Sequence, residues 1–187
     1  TVPALFWHRV QTRPDKVAMR EKHLGIWKAY TWAEYGDNAR AIGMGLISLG
    51  LEPGDAGAIP SDNNKEWLFC DLGVLCAAGV STGIYPTDSP AQVEYLVNDC
   101  KAKFLFVEDE EQLDKILAVR ERTPHLKNIV VFDMEGLRGR GGHPAQQQQR
   151  NVLHMQSPVS GRRGASMPEN TAGLHILTVL RTTTGGS

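Results

Sequence analysis

From Ala56 to Phe132 the sequence switches repeatedly between short apolar runs and longer segments of helical periodicity. Ala56–Pro60, Val80–Tyr85, Lys103–Val107 (with FLFV at its centre) and Asn128–Phe132 read as strands. Asn64–Ala78, Pro90–Asp99 and Glu110–Arg122 read as the helices between them. Strands separated by helices return parallel to one another. The alternation therefore predicts an α/β fold: a mostly parallel sheet with helices on both faces and right-handed crossovers. Local punctuation agrees. Pro53-Gly54-Asp55 is a turn signal before the first strand, and Pro90 suits a first helical position capped by Asp88 or Ser89.

The segment before this alternation carries its own elements. A helix at about Pro3–Arg13 is ended by Pro14, and strands at Val17–Glu21 and Trp27–Thr31 flank a turn around His23–Gly25. The next helix is the most regular. Trp32, Tyr35, Ala39, Ile42, Leu46 and Leu49 form one apolar stripe, Thr31 and Glu34 form a capping box, and Gly50 is a natural stop. This stripe is core packing and carries no chemistry.

The pattern breaks near Leu137, which divides the chain into three parts. Residues 1–137 are the ordered α/β portion. Residues 138–170 are rich in Gly, Gln, Arg, Ser and Pro with almost no apolar pattern, and are expected to be irregular or disordered. Residues 171–187 regain a short apolar run that suits a strand, ending in Thr182-Thr183-Thr184-Gly185-Gly186-Ser187.

Bulk properties narrow the function. The length suits one ordinary domain, and the net charge of -1 implies no broad attraction to nucleic acid or to an anionic membrane. No apolar run approaches the roughly 20 residues of a membrane helix, and the first residues lack a signal-peptide layout. Cys70, Cys76 and Cys100, odd in number and without close pairing, fit free core thiols in a reducing, cytoplasmic setting.

In an open parallel sheet, ligands bind beyond the carboxyl ends of the strands. Two loops leave strands at that edge, Ser61-Asp62-Asn63-Asn64 and Pro86-Thr87-Asp88-Ser89, each just before a helix N-terminus. The plainer reading of both is caps and turns. The glycine-rich dinucleotide and P-loop fingerprints are absent, as are the zinc-protease and nucleophile-elbow motifs. His8, His23, His125, His143, His154 and His175 are scattered without metal-ligand spacing. Residues 182–187, Thr-Thr-Thr-Gly-Gly-Ser after the apolar run Leu174–Leu180, are a candidate phosphate cradle, since hydroxyls and backbone N–H groups can converge on phosphate oxygens and glycine permits close approach. No lysine follows them, so a frayed polar terminus is the competing reading.

Several segments together resemble one family. YTWAEY at Tyr30–Tyr35 is similar to the first core motif of adenylate-forming enzymes, and LCAAGVSTGIYPTD at Leu75–Asp88 to the second. The stretch from Gly54-Asp55 through Ser61 and the Trp67-bearing helix resembles the same family. The run from Ile84 to Leu117, with NIVVFD at Asn128–Asp133, resembles its long-chain fatty acyl-CoA synthetase branch. The resemblance covers about residues 1–136.

The resemblance implies a partial N-terminal domain of the adenylate-forming fold. It also implies a two-step ligase using a fatty acid, ATP, Mg2+ and coenzyme A. Such chemistry needs charge stabilisation around phosphate more than a protein nucleophile. The family's third core motif is matched only in part. Thr183, Thr184 and Gly185 fall on its Thr-Thr-Gly, whereas Arg181 and Thr182 stand where Ser and Gly are expected, and the Pro-Lys-Gly end is missing. The chain is thus expected to be an inactive fragment, and residues 138–170 suggest a frameshift, splice variant or gene-prediction artefact. As a hypothesis, that is tested by reading the coding DNA in all frames; it fails if no other frame restores the family's sequence. The alternative is a non-enzymatic α/β interaction or regulatory module, a truncated isoform that binds a full-length partner, with exposed apolar surface as its association site.

Overall fold

The computed structural model describes residues 1–133 and two short strands, His154–Met155 and Leu177–Arg181. Helix α1 (Val2–Thr12) leads into an antiparallel pair, β1 (Val17–His23) and β2 (Ile26–Thr31). Both strands run closer to the turn than the sequence suggests. Leu24 and Gly25 alone make the connection, both with positive φ (48° and 82°). A two-residue turn of that kind matches strand twist and favours glycine in its second position.

Helix α2 (Trp32–Ser48) begins as its sequence predicts. Thr31 Oγ1 accepts from the Glu34 N–H at 3.2 Å, and Glu34 Oε2 accepts from the Thr31 N–H at 2.7 Å. The apolar stripe is buried from Tyr35 through Leu49, with Trp32 half-buried.

The units β3 (Ala56–Pro60), α3 (Lys65–Cys76), β4 (Val80–Ile84), α4 (Pro90–Asp99), β5 (Phe104–Val107), α5 (Glu110–Leu117) and β6 (Asn128–Val131) follow in alternation. The long helix expected to reach Arg122 stops at Leu117, and a single 3-10 turn, Arg120–Arg122, completes that stretch. Strands β3 to β6 are parallel in the order β4-β3-β5-β6. Beyond β6 the sheet continues with β7 (His154–Met155) and β8 (Leu177–Arg181), in the order β6-β8-β7 and antiparallel. The antiparallel extension is not visible in the helix–strand alternation, because no helix links β6 to it in the pattern.

The period-2 alternation of a strand sorts the core into two layers. Ile59, Phe104, Phe106 and Val130 face α1, α2 and α3. Ala58, Leu105, Val107, Ile129 and Val131 face α4 and α5, against Val93, Val97, Leu113 and Ile116. The helices therefore cover both faces of the sheet. On the first face α2 and α3 approach closely at Gly73. A Cβ there would stand 2.6 Å from Ile42 Cγ2 and 2.9 Å from Ile42 Cβ, so only glycine fits without displacement. Among the described residues no helix is long and apolar enough to cross a membrane.

Candidate functional site

The strand order places a topological switch between β3 and β5, the first strand's chain leaving toward one face and the other's toward the opposite face. Open α/β sheets form their ligand crevice at such a point, outside the carboxyl ends of the strands. Here the crevice is bridged from within. Glu108, just past β5, accepts from the Asp62 N–H at 2.8 Å and from the Ser61 hydroxyl at 3.1 Å. The Ser61 proton is shared with the Asp62 carbonyl, 3.0 Å away. Ser61 is itself buried.

The rest of the Ser61–Asn64 loop is committed to building α3. Asn64 Oδ1 accepts from the Trp67 N–H at 2.8 Å, and its amide donates to Ser61 Oγ at 2.9 Å. The plain reading of this loop, a cap and a turn, accounts for Ser61 and Asn64 and leaves Asp62 and Asn63 exposed. In the second loop Ser89 caps α4 with a full capping box to Gln92. Pro86 is held by its carbonyl, which accepts from buried Gln112 Nε2 at 3.1 Å and from Lys115 Nζ at 2.5 Å. One helix, α5, thus fixes the loop after another strand.

Between the two loops lies a cleft of about 420 Å³. Ser61, Asp62 and Asn63 form its polar rim, and Trp67, Ile84, Tyr85 and Pro86 its apolar wall. The Trp67 ring lies over Gly83, 3.5 Å from where a Cβ would stand. Tyr85 is exposed at its mouth. A more open depression on the outer side of α4 contains Glu94, already bound by Arg122 at 2.8 Å, and lies away from the strand ends.

The cleft's chemistry is that of a binding surface with aromatic walls and an amide–hydroxyl rim. Among the described residues no lysine or arginine lines it, and their one charged group there is the Asp62 carboxylate. The described lining by itself does not suit a triphosphate, which needs cationic or N–H-rich surroundings. The phosphate cradle read at Thr183, Thr184 and Gly185 lies outside the described residues, as do His143 and His175. His8 and His125 are exposed on the surface. Among the described residues no group of His, Cys, Asp and Glu is placed to hold a metal ion. The three cysteines are free; burial pushes the Cys70 thiol far up, and also raises Cys76 and Cys100. Sequence reasoning missed Glu108 and the cleft that Trp67 and Tyr85 line together. Their only signal is position: Glu108 follows a strand end, and Trp67 lies on the first turn of α3.

The sequence matches the family of AMP-binding enzymes over residues 6–174. The chain belongs to that family. Over 132 residues it is 36% identical to the long-chain-fatty-acid–CoA ligase ACSBG1 of Bos taurus, a match covering 71% of this chain and 18% of the relative. Over 135 residues it is 35% identical to the long-chain-fatty-acid–CoA ligase ACSBG2 of Xenopus laevis, covering 72% and 18%. The chain thus spans 18% of the length of these relatives. Among solved structures, the anthranilate CoA ligase AuaEII in complex with anthranoyl-AMP aligns with a TM-score of 0.64 at 25% identity, covering 69% of this chain and 24% of that one. A Mycobacterium tuberculosis fatty acyl CoA synthetase shares the fold, with a TM-score of 0.62 at 16% identity over 70% of this chain and 26% of that one. The family expectation drawn from YTWAEY and the Leu75–Asp88 stretch is met, and so is the expected α/β architecture.

Proposed function

We propose that this chain supplies an N-terminal part of the large domain of an AMP-forming long-chain fatty acyl-CoA ligase. The observation that carries the proposal is the run of about 130 residues shared with relatives bearing that name. In this reading a fatty carboxylate attacks the α-phosphate of ATP, releasing pyrophosphate. The thiol of coenzyme A then attacks the acyl carbonyl and AMP leaves. Mg2+, when bound, neutralises phosphate charge during the first step. The chain's own contribution is scaffolding and one wall: Glu108, Gln112 and Lys115 fix the strand-end loops so that the Trp67–Tyr85 cleft faces the substrate side of the sheet.

By itself the 187-residue chain is proposed to be catalytically silent, because its described cleft lacks the cationic groups that phosphoryl chemistry needs. A cytoplasmic location, peripheral to membrane in the whole enzyme, belongs to the same reading and is checked by cell fractionation. So does self-association through exposed apolar surface, checked by a sizing column. The family match favours the ligase over a free-standing interaction module.

The test is a chimera. Residues 6–133 replace the matching stretch of the Bos taurus relative, and formation of fatty acyl-CoA is measured. Retained activity supports the proposal. A folded chimera that forms no fatty acyl-CoA sinks it.

A further inference from the structure

The β1–β2 hairpin stands apart from the large sheet, and its two faces differ sharply. The inner face is fastened to the domain. Tyr30 is buried and its hydroxyl donates to Glu21 Oε2 at 3.3 Å, while Lys65 at the start of α3 binds Glu21 Oε1 at 3.1 Å. Met19, on the same side as its partner Tyr30, packs against the core.

The outer face is set by register. Arg20 pairs with Ala29 and Lys22 with Trp27, so these four share one side; Arg20, Lys22 and Trp27 are exposed and Ala29 is half-buried. Trp27 is 65% exposed, and at the tip Leu24 is 89% and Ile26 73% exposed. A hairpin tip of three large apolar side chains is costly to leave in water. Beside it this face carries two positive charges and no negative one. The net charge of -1 for the whole chain conceals this local asymmetry.

We infer that the hairpin is a membrane-docking element, with Leu24, Ile26 and Trp27 entering the interface of a bilayer and Arg20 and Lys22 meeting anionic headgroups. The charge pattern decides for an anionic lipid surface. An indole is amphipathic and sits at headgroup depth, and basic residues beside it gain from the negative surface potential. The anchoring of Glu21 to Lys65 holds the hairpin rigidly, so that docking orders little new chain. The inference stands on the hairpin alone and does not depend on the ligase reading.

The experiment is co-sedimentation of the full 187-residue chain with vesicles of phosphatidylcholine, with and without phosphatidylglycerol. Binding is expected only with the anionic lipid and is expected to weaken as salt is raised. The pair Arg20→Glu and Lys22→Glu should weaken it on the order of tenfold or more, and Leu24→Ser with Trp27→Ala should abolish it. Because these residues are exposed, unchanged thermal melts will show that the variants fold. Indole emission gives a second readout: it should shift to the blue on adding anionic vesicles, and Trp27→Phe should remove the shift. Equal binding to neutral vesicles, unaltered binding by either variant, or a Trp27-dependent dimer in place of vesicle binding would overturn the inference.

Discussion

Glu108 reaches across the switch point of the sheet to Ser61, carboxylate oxygen to hydroxyl at 3.1 Å, and takes the neighbouring Asp62 N–H at 2.8 Å with the same oxygen. Two loops that leave the sheet toward opposite faces are thereby tied at the edge where ligands bind in this architecture. Hydrogen bonds to a charged acceptor contribute about 1.5–3 kcal/mol each when partly buried, and removing the acceptor leaves donors unpaired. Glu108→Ala should therefore lower stability by about 2 kcal/mol in urea titration, and Glu108→Gln by less, since an amide oxygen still accepts. An unchanged unfolding midpoint for the alanine variant would show the bridge to be dispensable.

The contact of α2 with α3 predicts a compensating pair. Gly73→Ala places a methyl 2.6 Å from Ile42 Cγ2 and should cost about 1–3 kcal/mol by overpacking. Ile42→Ala leaves a cavity and should cost about 2–5 kcal/mol. Combined, the two changes should cost clearly less than their sum, because the new methyl occupies space the isoleucine vacates. Strict additivity in a double-mutant cycle would contradict the close approach.

At the opposite edge of the sheet, Asp55 and Lys103 make a 2.7 Å ion pair at the start of β5. Burial works to raise the Asp55 carboxyl, but the hydrogen bonds from Lys103 and from the Glu52 N–H outweigh it and hold it below the usual carboxylate range. The bond from Asp55 likewise raises Lys103. Asp55 is more acidic folded than unfolded, so its contribution is present above the ordinary carboxylate value and is lost as pH falls through the lowered one. The lysine's share is present below the ordinary lysine value and lost as pH rises through the raised one. Lys103 is about one-third exposed, so screening keeps the effect on the order of 1 kcal/mol. Asp55→Asn should flatten the acid limb of stability measured against pH; an unaltered limb would remove the pair from the account.

Tyr85 separates a binding role from a folding role. Its side chain is 77% exposed, so Tyr85→Ala should change stability by no more than about 0.5 kcal/mol. In the chimeric ligase the same change should raise the KM for fatty acid several-fold with a smaller effect on kcat. Unchanged kinetics would show that the cleft is not on the substrate path.

Much of this architecture is legible in the sequence because each element carries its own signal. Alternating runs announce β3 to β6. The stripe from Trp32 to Leu49 and the Thr31–Glu34 box announce α2, and Pro90 announces the start of α4. The family is legible from the ordering of YTWAEY and the Leu75–Asp88 stretch. The site is less so. Ser61 and Asn64 look like cap residues and are, but the partner that gives Ser61 its role stands 47 positions away, and no local pattern connects them. Lys115 reaching Pro86 and Gln112 buried beneath the same carbonyl are equally non-local. The hairpin's outer face is legible only once register is known, since sharing a side depends on Lys22 pairing with Trp27 rather than with Ile26.

The central claim is that these residues form a working part of a fatty acyl-activating ligase while lacking its chemistry alone. Fatty-acid-dependent exchange of pyrophosphate into ATP tests it most directly, measured on the chimera and on the isolated 187-residue chain. The account predicts exchange by the chimera and background for the chain. Exchange by the chain itself, or none by a chimera shown to be folded, would contradict it.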